Sequence, residues 1–401
     1  QENGWWALLW AQANNSTTAK APLPLIGPAA PLGQMQIPGP TAGSFIAYPA
    51  LACSGAGSQS NVVAFALGTA AQTRIQPAAT PFDLGVPGMM AHEALNLTQP
   101  YQSTCTLPPP SSPQQGLLDT LAQLLNSESQ SFYPVLQNFP GKTAEQAALS
   151  LHPTLATVWF GENELLKFVG SLGQVQPTTA QQFQADETSI IQQLQQAGAK
   201  VAVANLLDPL KTPLFVPINV PSGLPPSTVT FALLLGSKGV PAPAIAALQS
   251  YLQATYGIGV NGYVTLTGIA KIAAGAALGN LAPQLAPGDY IPDALAAAAK
   301  QQLVALNAAI AAAAAATGAA LVDVNGTFDQ LFAAGGDPLN AKCCSTQFGG
   351  GVFSFDGFHP SNTGYALIAN LWIQALDAKF GLTIAPVNVA QIYATDPWAP
   401  H

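Results

Sequence analysis

A three-layer α/β sandwich built on a mainly parallel sheet is the fold class this sequence predicts, and three observations carry it. Continuous apolar, β-branched runs lie at residues 154–161 (TLATVWFG) and 200–207 (KVAVANLL), the pattern of strands covered on both faces. A helix-length segment, residues 178–199, separates them and ends at Gly198, so strand, helix and strand make a parallel crossover unit. The order returns later, where a long Ala-rich helix from Asp293 to Gly318 leads into the apolar run 320–324 (ALVDV).

The remaining elements follow in chain order. Residues 1–13 carry Trp5, Trp6, Leu8, Leu9 and Trp10 and read as a helix packing on the sheet. Up to residue 60 the chain is irregular, with Pro and Gly recurring in turn and polyproline chemistry. Residues 61–67 read as a strand, and residues 82–90 (FDLGVPGMM) as a short strand running into a Gly-Val-Pro-Gly turn. Leu117, Leu118, Leu121, Leu124 and Leu125 have helical spacing. Asp208-Pro209 stops the strand before it, and residues 209–292 read as a helical insertion in one domain spanning 1–401, with helices near 243–257 and 266–279. After residue 324 a Gly-rich loop precedes a last helix over 362–381, started by Pro360-Ser361-Asn362.

With 401 residues, 49% of them hydrophobic, the chain can bury a large core. Only 7% are charged, so Gln, Asn, Ser and Thr must form much of the polar surface. The net charge of −8 and the lack of any Lys/Arg cluster argue against a nucleic-acid partner. Cys53, Cys105, Cys343 and Cys344 include no C-x-x-C pair, which argues against a zinc site and leaves disulfides open. Few lysines with many Gln, Asn and Pro point to an extracytoplasmic protein, periplasmic or secreted. The most apolar helical stretch, 308–320, is mostly alanine and short for a bilayer, so no transmembrane segment is expected.

Three local patterns carry chemistry. In FSFDGFHPSNTGYALIAN, Asp356 precedes His359 by three positions on a turn entering a helix. A carboxylate so placed can fix the tautomer of an imidazole base, though the spacing equally fits a capping Asp beside an incidental exposed His. In WFGENELL, Asn163 follows directly on a strand, where ligands of open α/β sheets bind. Its amide can donate to an oxyanion or simply cap a helix. In LGVPGMM the N–H of Gly88 can face an oxyanion, and Gly-Pro-Gly turns are also common. His92, shortly after Gly88, reads as a solvated helix residue or as a pocket wall; Trp159 and Trp372 read as core.

In this order, the three patterns resemble the SGNH/GDSL hydrolase superfamily, whose blocks carry Ser, Gly, Asn and His on a flavodoxin-like fold. FDLGVPG resembles the second block, with its Gly at Gly88. GENE resembles the third block's G-x-N-D, with its Asn at Asn163 and Glu164 in place of Asp. DGFHP resembles the last block, with Asp356 and His359. The resemblance implies a serine ester hydrolase of acyl or lipid esters that works through an acyl-enzyme and needs no metal or cofactor. His359 and Asp356 would be its acid–base pair, and Gly88 and Asn163 its oxyanion donors. The first block, Gly-Asp-Ser or Gly-Asn-Ser, does not occur. Ser16, Ser44, Ser54, Ser58 and Ser60 do not follow an apolar strand ending in Gly-Asp or Gly-Asn. The nucleophile is therefore expected upstream of residue 1 and the chain by itself is expected to be inactive. The insertion reads as a lid or acyl-pocket wall. The rival readings are a non-catalytic extracytoplasmic binding or surface protein on the same fold, and a carbohydrate O-acetyl esterase.

Overall fold

The computed structural model describes residues 4–14, 80–86, 88–98, 133–336, 344–397 and 399; the strand read at 61–67 and the helix read at 112–127 lie outside them. The helices in chain order are α1 (Trp5–Ala13), α2 (Ala91–Asn96), α3 (Ala144–Ser150), α4 (Glu162–Gly170), α5 (Ala180–Gln196), α6 (Phe231–Ser237), α7 (Ala242–Tyr256), α8 (Leu266–Ala277), α9 (Asp293–Thr317), α10 (Val324–Ala334), α11 (Asn362–Phe380) and α12 (Val389–Tyr393). The strands are β1 (Leu155–Val158), β2 (Lys200–Ala204), β3 (Phe215–Pro217), β4 (Tyr263–Thr265), β5 (Tyr290–Ile291) and β6 (Ala320–Val322). The described residues divide into two compact units: 80–98, 133–201 and 309–319 in the first, and 4–14, 202–308, 320–336 and 344–399 in the second.

In the first unit, the Lys200 N–H at the start of β2 donates to Thr154 O at the start of β1 (2.9 Å). α5 starts at Thr179, whose hydroxyl accepts the Gln182 N–H, and it buries Phe183, Glu187, Ile190, Ile191 and Leu194 along one stripe. Val86, Met89, Ala94, Val135, Leu136, Phe139, Ala144 and Ala147 form a core cluster that joins α2, α3 and the turn before α2. Among the described residues of 82–90 there is no strand: Met89 N–H closes a turn on Val86 O (3.0 Å).

In the second unit, the rest of β2 pairs in parallel with β6, Ala202 opposite Ala320 and Ala204 opposite Val322. α11 lies against β6 and carries α1 on it, and the Trp5 and Trp372 rings stack at 4.7 Å and 8°. The apolar face of α1 is thus matched to another helix. The segment read as a Gly-rich loop after β6 contains α10, capped by Asp323, with Val324, Phe328, Leu331 and Phe332 buried at helical spacing. Residues 209–292, read as helical, contain α6, α7 and α8 and also a small antiparallel sheet, β3-β4-β5. α9 is long and apolar enough by length and composition to cross a membrane. Its buried residues, including Ala296, Ala299, Leu303, Leu306 and Ile310, recur at three- and four-residue spacing, which is the stripe of a helix laid against protein.

Helix α11 starts under a tight constraint. A Cβ on Gly364 would lie 2.2 Å from Val352 O and 2.9 Å from Pro360 Cβ. Both obstacles belong to the stretch that leads through His359 into the helix. Gly364→Ala is therefore expected to destabilise the protein by about 1–3 kcal/mol, as overpacking does, seen as a lowered midpoint in thermal unfolding. An unchanged midpoint would show that the helix can back away from Val352 at no cost.

Candidate active site

Asp356 and His359 sit on the short loop that enters α11. The loop closes on itself: Ser354 N–H donates to His359 O (2.8 Å) and Gly357 N–H to Ser354 O (2.9 Å). The two oxygens of Asp356 divide the work. Oδ1 accepts from the Ser354 hydroxyl (2.8 Å), Phe358 N–H (2.8 Å) and His359 N–H (2.9 Å), which shapes the turn. Oδ2 lies 2.7 Å from His359 Nδ1. That contact assigns the proton to Nδ1 and leaves Nε2 as the ring nitrogen able to accept one. The His359 side chain is 66% exposed, so its ring is within reach of a ligand. Burial alone would raise the Asp356 carboxyl. The His359 hydrogen bond, the Phe358 N–H, the His359 charge and the Ser354 hydroxyl outweigh it and hold the group well below the usual carboxylate range. Asp356 is thus an anion wherever the imidazole titrates.

Residues of the 209–292 segment brace this loop directly. Leu214 N–H, ahead of β3, donates to Gly357 O at 2.8 Å, and Leu266 N–H at the start of α8 donates to Leu214 O at 3.0 Å. Phe358 meets the His359 ring edge-on at 5.3 Å. Phe348 and the residue before Asp356, Phe355, pair at 6.4 Å and are each about half exposed.

Gly88 and Asn163 lie together in the first unit. Gly88 is buried at φ 79, a left-handed backbone that favours glycine. Its N–H makes no hydrogen bond among the described residues, which is uncommon for a buried amide. Asn163 is not the helix cap: Gly161 holds that position in α4. The Asn163 side chain in the first turn instead donates through Nδ2 to Met89 O at 2.9 Å. One Nδ2–H is fixed by this bond, and an amide nitrogen carries a second that can donate elsewhere.

His92 lies on α2 with a half-exposed side chain, its Nδ1 3.2 Å from Asp186 Oδ2. Trp372 is core. Cys344 is disulfide-bonded. Among the described residues no group of three or more His, Cys, Asp or Glu is arranged to hold a metal ion. Sequence reading missed Ser354 and Leu214 as supports of the pair. The Ser-x-Asp spacing is a turn signal that could have revealed Ser354; nothing local marks Leu214.

A family model described as GDSL-like lipase/acylhydrolase matches residues 52–372, a span that contains Gly88, Asn163, Asp356 and His359. No curated protein and no solved structure matches the chain. The match covers most of the chain, and the α/β fold with its parallel β2–β6 pair agrees with it. The chain belongs to the GDSL-like lipase/acylhydrolase family, and its general activity is that of an esterase-type acylhydrolase.

Proposed function

We propose that the protein hydrolyses carboxylic esters of an apolar acyl group through a seryl acyl-enzyme. The observation that carries this reading is the 2.7 Å contact of Asp356 Oδ2 with His359 Nδ1. His359 Nε2 takes the proton of a serine hydroxyl as that oxygen bonds to the ester carbonyl carbon. The same proton then passes to the leaving alcohol as the ester C–O bond breaks. In the second half-reaction His359 takes a proton from water as the water oxygen bonds to the acyl carbon, and that proton returns to the serine oxygen as the acyl–serine C–O bond breaks and the carboxylic acid leaves. Asp356 stays ionised throughout and stabilises the imidazolium. The Gly88 N–H and the Asn163 amide donate to the oxyanion, each such donor being worth about 2.7–4 kcal/mol.

The exposed Phe348–Phe355 pair beside Asp356 supports an acyl or lipid ester over a sugar O-acetyl group. The bond from Leu214 to Gly357 supports a role for residues 209–292 as a wall or lid of the acyl site. The Cys344 disulfide supports an oxidising, extracytoplasmic compartment. The test is labelling of the full-length protein with a fluorophosphonate, mapping of the modified serine, and profiling on short and long acyl esters. Labelling of one serine that depends on His359 is the expected result. A folded protein that resists the probe and cleaves no ester would instead make it a non-catalytic binding protein on the same fold.

A further inference from the structure

The first turn of α4 grips the Gly88 segment from two sides. Asn163 Nδ2 holds Met89 O at 2.9 Å, and the next side chain, Glu164, accepts the Ala91 N–H through Oε1 at 2.9 Å. Between these two bonds, Met90 N–H is held by Glu93 Oε2 (2.8 Å), and Met89 N–H returns to Val86 O (3.0 Å). The amides of Met89, Met90 and Ala91 are thus each held, while the Gly88 N–H makes no hydrogen bond among the described residues. We propose that Glu164 is a positioning residue for the oxyanion side of the reaction, acting with Asn163 as a two-point clasp that fixes the direction of the Gly88 N–H. The proposal rests on the ester-hydrolase reading for its catalytic meaning.

Glu164 is fully buried, yet only one of its oxygens has a hydrogen-bond partner among the described residues. A buried carboxyl with an unmet oxygen costs stability, so packing alone would favour an apolar side chain here. Burial, opposed by the Ala91 N–H and the Lys167 charge, still pushes the group up to about 7. A neutral or an ionised carboxyl can each accept the Ala91 N–H, and an apolar side chain of similar size cannot. The family resemblance placed a carboxylate at this position without saying what it touches; here it touches the backbone three residues beyond Gly88.

The experiment compares Glu164→Leu, Glu164→Gln and Glu187→Leu in the full-length protein. Glu187 is a neighbouring buried carboxyl on α5 with both oxygens unpartnered among the described residues, so its replacement removes a buried carboxyl without removing a hydrogen bond to the turn. Glu164→Leu is expected to lower kcat per fluorophosphonate-titrated site by about 10- to 100-fold, somewhat less than loss of an oxyanion donor, with KM within about threefold. Glu164→Gln keeps the acceptor oxygen and is expected to recover most of that loss. Glu187→Leu is expected to leave kcat within about threefold of wild type, since it removes no oxyanion donor. The amide resonance of Gly88 in 15N-labelled protein supplies a readout independent of activity. It should move in Glu164→Leu and return towards its wild-type position in Glu164→Gln.

A Gly88 resonance unmoved by Glu164→Leu overturns the clasp, and so does an equal fall in kcat for Glu187→Leu. A wild type inert to the probe and to esters would defeat the ester-hydrolase reading on its own. The Gly88 resonance would still decide whether Glu164 sets this turn.

Discussion

A His359→Ala variant is expected to hydrolyse a p-nitrophenyl ester with kcat lowered by about 10³-fold or more, while its thermal unfolding stays near wild type. The side chain is 66% exposed, so truncation opens no core cavity. What is lost is the imidazole held against Asp356. Asp356→Asn is the sharper companion. Asparagine can keep its carbonyl oxygen in the Oδ1 position, where it accepts from Ser354, Phe358 and His359 and so preserves the turn. An amide nitrogen in place of Oδ2 cannot accept the Nδ1 proton of His359, so the ring loses its tautomer and the stabilisation of its charged form. A fall of about 10²- to 10⁴-fold in kcat is expected with little change in unfolding midpoint. Measurement of kcat and of the midpoint on the same preparations decides the matter. A folded Asp356→Asn protein with wild-type kcat would remove Asp356 from the mechanism.

The second large effect concerns stability and pH. Glu187 is fully buried in the first unit and neither carboxyl oxygen has a partner among the described residues. Burial pushes it up from 4.5 to about 8, reinforced by the negative charges of Glu164 and Asp186. The folded protein therefore keeps a proton that the unfolded chain releases near 4.5. Between those values the unfolded state binds fewer protons, so stability falls as pH rises. The loss begins above the unfolded pKa and continues until pH passes the folded one. The same direction applies to Glu145 and Glu164, both raised by burial to about 7. Glu187→Leu removes the largest of these penalties. It should raise stability at pH 8 by on the order of a few kcal/mol and by much less at pH 5. Denaturant melts of both proteins at the two pH values give the comparison. An equal gain at both would mean that the leucine acts through packing, and that Glu187 meets no titration penalty.

Much of the sheet and its crossovers was legible because their signals are local. β2 is a run of Val and Ala buried from Val201 to Ala204, and α5 sits between a Thr cap and Gly198. α11 begins at Ser361, which caps it as the Pro-Ser-Asn sequence implies. The three strands within residues 209–292 were not legible: each has two or three residues, too few for an alternation to show. α10 was hidden by the glycines that flank it, although Asp323 followed by Val324, Phe328, Leu331 and Phe332 is a cap with a helical stripe. At the site, the link between Asp356 and His359 was readable because three residues and a turn suffice to make it. The grip of Asn163 on Met89 and of Glu164 on Ala91 spans more than seventy residues, and no local pattern announces a contact of that range.

The closeness of Asp356 and His359 along the chain has a consequence for how activity is lost. Closing a loop costs entropy that grows with the logarithm of its length. An acid and a base drawn from distant segments meet only when everything between them is folded. Here only two residues lie between them, and the turn that joins them is held by bonds within residues 354–359. The pair can therefore form early and survive partial opening of the rest. Heat inactivation should begin with the loss of what surrounds the imidazole, and the carboxylate should be among the last partners to leave it.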